Sequence, residues 1–380
     1  MRTGYPICDL LQLAQVKLVG ADGGQVPIEG KYAMLSCRLL IHFNQNDGSH
    51  LLSQTLVDSH MCFVYLFSED RSNFLVRYPP EPFISAAAAR MMSSRDEWKG
   101  WFRSMIAQNF IARDDRSALV SRVLLTMARD AAYAAERIST KDQFDLEPSD
   151  VLPGHEPVPL KAFLKAFLGM NHWNRVRQAN PVNFSGGKPL DEFLDDAAVI
   201  DFTSFGICNS DKIFTYRGMI EALIQGVAIV CPPGQCWYDC VIVFLRDKNK
   251  SFLASNLGLI VLQDKKTTPI ELPCGTKYPV ISILHHPTAE QSRIEIEERQ
   301  PDTDSLFMEG EPLYRIAVDG TPLVDRETCQ EWWTGDDPVR CHRAGSGIAE
   351  AAQAIYRQNR YDAVADGLEF GFLSEVVKDV

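Results

Sequence analysis

The stretch Met219–Lys266 opens M-I-E-A-L-I-Q-G-V-A-I-V-C, continues from Pro232 as P-P-G-Q-C-W-Y-D-C-V-I-V-F-L, and ends from Leu257 as L-G-L-I-V-L-Q-D-K-K. Its reading decides the fold. Ile220, Leu223, Ile224 and Val227 recur at helical spacing, so a helix comes first. Pro232, Pro233 and Gly234 then impose a turn. Tyr238–Leu245 and Leu257–Lys265 are apolar, rich in β-branched residues and bounded by turn signals, the pattern of buried strands. The stretch is therefore a helix followed by three strands.

Polar groups sit at defined places on this frame. Side chains two apart in a strand share a face, so Leu259, Val261, Gln263 and Lys265 point one way and the last two emerge together at the strand end. Asp239 opens the preceding strand. If the two strands are neighbours, Asp239, Gln263 and Lys265 meet at one sheet edge, and Glu221, at the border of the helix's apolar face, can reach them. Carboxylate and amide oxygens of Glu221, Asp239 and Gln263 suit Mg²⁺. Such a cation activates water and stabilises charge on a phosphoryl oxygen.

An aspartate opening one strand, with Gln263-Asp264-Lys265 ending the next and an acid on the preceding helix, resembles the active site of the restriction-endonuclease-like PD-(D/E)XK superfamily. The wider surroundings resemble the nuclease-like C-terminal region of fungal Crinkler-type proteins. That resemblance runs from Leu119 onward, through L-V-S-R-V-L-L-T-M-A-R-D, P-L-K-A-F-L, I-D-F-T-S-F-G and the 228–265 run. It implies a mixed-sheet α/β (or α+β) core at about 200–290 and a Mg²⁺-dependent nuclease acting on DNA or RNA. Glu221, Asp239, Gln263 and Lys265 would be its catalytic residues. Gln263 stands where the family's pattern has an acid, which removes one negative ligand. A second expectation follows from that departure: a catalytically silent module that keeps the fold and binds nucleic acid or protein.

Composition sets the outer bounds. The 380 residues are 46% hydrophobic and 23% charged, ordinary for a globular chain of two or three domains. No run has the length of a membrane span. The N-terminus lacks a secretory pattern. Ten irregularly spaced cysteines read as free thiols in a reducing, intracellular compartment. Net charge is −12, but residues 211–266 hold seven basic against five acidic groups, leaving +2 there and −14 elsewhere. Arg246, Lys248 and Lys250 are the candidate contacts to a phosphate backbone. A solvated charged turn is the plainer reading of the same run.

Three divisions are expected: a mixed segment over 1–80, a helical module over 83–180 and the nuclease-like α/β domain over 190–380. In the first, Tyr32–Phe43 and Met61–Phe67 read as strands. In the second, one helix runs from Ala86 through Phe102, a second follows a cap at Asp114 or Asp115, and a third follows Pro159. Ser185-Gly186-Gly187-Lys188 falls short of a P-loop, because Val182 and Pro189 stand where glycine and a hydroxyl residue are needed. Later, Tyr278–Leu284 reads as a strand with His285 and His286 at its end. Glu290–Glu311 reads as an exposed loop. Leu313–Val318 and Thr321–Val324 read as a hairpin, Trp332 and Trp333 as core residues, and Ser346–Gly367 as a helix.

Overall fold

In the computed structural model three helices lead the chain: α1 (Ile7–Val19), α2 (Ile28–Leu39) and α3 (Asp47–Ser59). The structure describes residues 7–19, 26–43, 47–67, 74–79, 81–93, 98–111, 116–140, 156–183, 187–208, 210–231, 238–263, 278–286, 293–297, 311–319 and 323. Helix α2 replaces the strand expected from Tyr32. Tyr32 to Cys37 are buried without a break, so this part of the helix is enclosed on every side and its run carries no periodicity that separates helix from strand. An antiparallel ribbon follows, β1 (Phe63–Phe67) and β2 (Phe74–Arg77), with a register shift between Val64 and Leu66. The Arg77 guanidinium lies over the Tyr65 ring at 4.7 Å.

Next come α4 (Pro82–Ser93), α5 (Trp98–Ala107), α6 (Arg116–Thr140), β3 (Val158–Pro159), α7 (Leu160–Leu168), α8 (Met170–Val176) and α9 (Leu190–Phe193). The single helix expected across Ala86–Phe102 is thus two helices. The remaining elements are β4 (Val199–Ile200), β5 (Ser204–Ile207), α10 (Ser210–Ile213), α11 (Tyr216–Gln225), β6 (Val227–Val230), β7 (Cys240–Leu245), β8 (Leu257–Gln263), β9 (Val280–His286), β10 (Arg293–Ile296) and β11 (Leu313–Asp319). β10 is a correction to the loop expected over Glu290–Glu311. Its charged residues alternate with Ile294 and Ile296, so only one face is buried.

Strands β3 to β11 form one mixed sheet, and the chain is α/β. β7 is its centre. It pairs antiparallel with β8 along its whole length. Its other edge is shared, by β6 next to Cys240 and Val241 and by β4 next to Phe244 and Leu245. β5 lies parallel to β6, β9 to β8, and β11 to β9. The carboxyl ends of β5, β6, β8, β9 and β11 therefore share the sheet edge at which β7 begins.

Both faces of the sheet are packed. On one, Met219, Ala222 and Leu223 of α11 meet Val241, Val243, Leu259 and Val261. On the other, Phe163 and Phe167 of α7 stack near Phe202 and His285. Across the β7–β8 ladder, Gly258 faces Phe244. A Cβ at Gly258 would lie 2.1 Å from Phe244 Cζ, so only glycine leaves room for that ring.

Met1–Gly335 forms one compact unit. The expected cap at Asp114 or Asp115, the Pro232–Gly234 turn, Asp264, Lys265, Trp332, Trp333 and the Ser346–Gly367 helix lie outside the described residues, as do Ser185, Gly186 and most of Thr321–Val324. Among the described residues no helix is long and apolar enough to cross a membrane.

Candidate functional site

Asp239 stands one residue before β7, and its N–H donates to the Leu262 carbonyl at 2.9 Å. On its other side its own carbonyl accepts from the Cys231 N–H at 3.1 Å. The last ladder pair is Cys240 with Leu262, and the Asp239 N–H goes to the carbonyl of that same Leu262, so the regular pairing ends there. Asp239, bonded to the Leu262 carbonyl, and Gln263, next to Leu262 in the chain, thus stand at the same sheet edge. Gln263 lies on the α11 face with Leu259 and Val261. Its Oε1 is buried and has no hydrogen-bond partner among the described residues.

Glu221 is placed differently. Thr215 caps α11 by accepting from the Gly218 N–H at 3.1 Å, and Gly226 closes it in the left-handed region at φ 60°. Between these ends the sheet-facing residues are Met219, Ala222 and Leu223. Glu221 lies roughly half a turn round the helix from Met219. Its Oε1 accepts from Arg217 Nε at 2.7 Å. The face read from sequence was rotated: Ile224 is 47% exposed and Val227 belongs to β6. Asp239 and Gln263 thus stand at one sheet edge, while Glu221 is tied to Arg217. Lys265 lies outside the described residues. Among the described residues no group of three or more His, Cys, Asp or Glu could hold a metal ion.

The two histidines ending β9 part company. His285 is buried on the α7 face, with its ring 5.2 Å from that of Phe167. His286 lies on the opposite face, two residues beyond Leu284, the register partner of Gln263.

The basic turn after β7 lies at the far end of that strand, roughly 23 Å from Asp239 at strand rise. Asn256 organises it. Its Oδ1 accepts from Asp247 N–H at 2.9 Å, and its Nδ2 donates to the Asp247 and Ser251 carbonyls at 2.9 and 3.2 Å. Arg246 is occupied: its guanidinium covers the Phe193 ring at 5.1 Å, bonds the Ser255 carbonyl at 3.2 Å and faces Glu311 at 3.6 Å. The Asn249 amide and Lys250 hold the Asp247 carboxyl below its ordinary range.

A second charged cluster was not anticipated. Arg38, Arg122 and Arg129 are almost wholly buried in α2 and α6. Arg38 Nη1 and Nη2 bond the two oxygens of Asp130 at 2.6 and 3.0 Å, and its Nε reaches the Thr203 carbonyl at 3.3 Å. Arg129 Nη1 lies 3.5 Å from Asp130, and its Nη2 donates to the Glu156 carbonyl at 3.0 Å. Burial lowers Arg129 from its ordinary value against the pull of Asp130. Burial also pushes the Asp201 carboxyl up to about 6, with Arg129 acting the other way. The sequence signal was there: Arg122 and Arg129 stand seven apart in an apolar helical stripe, where cations need buried partners.

Residues 30–178 match a family model described as Domain of unknown function (DUF8736). That span holds Arg38, Arg122, Arg129 and Asp130 and ends before the strands that carry Asp239 and Gln263. No curated protein and no solved structure matches the chain.

Proposed function

We propose that the chain is a Mg²⁺-dependent nuclease, or a protein derived from one, acting on phosphodiesters of DNA or RNA. The observation that carries this reading is the buried Oε1 of Gln263, unpartnered among the described residues, at the sheet edge where Asp239 bonds the adjacent Leu262 carbonyl. A sequestered acceptor with no donor costs about 1–3 kcal/mol, and a hard cation would satisfy it. Mg²⁺ commonly takes only one or two protein oxygens and fills its remaining positions with water and substrate phosphate. Asp239 and Gln263 would meet that demand without a second carboxylate. Asp239 would supply the negative ligand and Gln263 a neutral oxygen; Lys265 would orient the water or neutralise the phosphate. When bound, the cation would lower the pKa of a water and stabilise developing charge on phosphorus oxygens.

A second reading is a catalytically silent module of the same fold that binds nucleic acid or protein. The pairing of Glu221 with Arg217 favours it, because that carboxylate is then committed elsewhere.

The deciding experiment is cleavage of single- and double-stranded DNA and RNA by the purified chain with Mg²⁺ or Mn²⁺. Activity that disappears with EDTA and in Asp239→Ala supports the enzyme. No cleavage by the native chain or by Gln263→Glu, which restores an acidic ligand, leaves the silent module.

A further inference from the structure

The turn at the far end of β7 has a composition that the metal site does not use. Lys248 to Ser255, K-N-K-S-F-L-A-S, are exposed without interruption. Within them Phe252 is 47% and Leu253 58% exposed, and Tyr216 of α11 is 45% exposed beside them. Tyr216 donates its hydroxyl proton to the Phe252 carbonyl, so the phenol holds the backbone beneath the phenylalanine ring. The Asn256 bonds and the Lys248 N–H bond to the Ala197 carbonyl at 2.9 Å fix the rest of the turn. A flat aromatic face is thus presented on a rigid base, at no cost of ordering when something stacks on it.

Charge completes the description. Arg246 is spent on Phe193, Ser255 and Glu311, which leaves Lys248 and Lys250 as the cations that face water. Lys250 approaches Asp247 at 3.3 Å, an exposed pair of the kind that contributes little and exchanges readily for a phosphate. Two lysines and an exposed ring are locally complementary to an anionic polymer with stacking faces, against a chain net charge of −12.

We propose that the Lys248–Ser255 turn is an anchor for single-stranded nucleic acid, with Phe252 stacking on a base and Lys248 and Lys250 contacting flanking phosphates. A paired duplex hides its base faces, so the exposed ring selects the single strand. This deepens the nuclease reading by naming a substrate form and a second contact some strand-length from Asp239. It requires neither a metal nor cleavage.

The test is fluorescence-anisotropy titration of a labelled oligothymidylate with the full chain in EDTA, across a salt series. Lys248→Gln with Lys250→Gln should reduce the slope of log affinity against log salt by about 1.4, which is about 25-fold at 0.1 M. Phe252→Ala should weaken binding about tenfold. Phe252→Trp should keep affinity and show quenched emission on binding. Three results overturn the anchor: no binding at low salt, binding that both sets of variants leave intact, or partition onto phosphatidylserine vesicles without oligonucleotide binding. Since the readout contains no metal, a failure here leaves the Asp239–Gln263 reading standing, and absence of cleavage leaves the anchor standing.

Discussion

Arg38 grips Asp130 with both Nη atoms, at 2.6 and 3.0 Å, while its Nε bonds the carbonyl of Thr203. One side chain thereby joins α2 to α6 and to the loop between β4 and β5. Removing it leaves Asp130 facing Arg129 alone and strips the Thr203 carbonyl of this donor. Arg38→Ala should destabilise the chain by about 3 kcal/mol, as for other broken buried pairs. Arg38→Lys should recover only part, because an ammonium cannot supply the two parallel bonds. Urea unfolding of the two variants checks the order.

The Asp201 carboxyl, at about 6 in the folded chain against 3.8 ordinarily, gives a pH signature. A carboxyl raised by folding binds its proton more tightly in the folded state, so stability falls as pH rises from about 4 to 6 and then levels. Asp201→Asn stays neutral throughout. It should flatten this part of the profile and leave the variant more stable than the native chain at pH 7 by at most about 3 kcal/mol. Thermal melts between pH 4 and 7 measure it. A native profile that rises over this window contradicts the assignment.

Gln263 can be tested without any activity. Gln263→Leu removes the orphaned oxygen, so in EDTA it should melt at or above the native temperature. If the oxygen serves a cation, Mg²⁺ should raise the melting temperature of the native chain and leave Gln263→Leu unmoved. Equal shifts in both chains argue against Gln263 as a ligand.

Gly258→Ala sets a Cβ against the Phe244 ring at 2.1 Å and should cost about 1–3 kcal/mol. Combining it with Phe244→Leu should restore part of that loss, so the double-mutant cycle should show a favourable coupling between the two sites. Additive losses would mean the strain lies elsewhere.

The strands of the central sheet were legible because β7 and β8 are short apolar runs closed by turns, and Asp239 and Gln263 follow from those runs by position alone. Helix α2 was not, since a segment buried on every side has no polar face to mark its period. The buried face of α11 was misread because Ile224 and Val227 were counted as core: one is half in solvent and the other starts a strand. The capture of Arg246 by Phe193 and Glu311 joins residues far apart in the chain, and no local pattern announces it.

The shared edge of β7 carries a consequence for motion. A strand laddered on both sides releases its amide protons to exchange only when the whole sheet opens. β7 has β8 along one edge and β6 and β4 along the other, so it belongs to the slowest-exchanging part of the molecule. Asp239 and the basic turn are fixed to its two ends. Their separation is a rigid dimension of the fold, and any yielding to a ligand falls to α11, whose Tyr216 and Ile224 already face water.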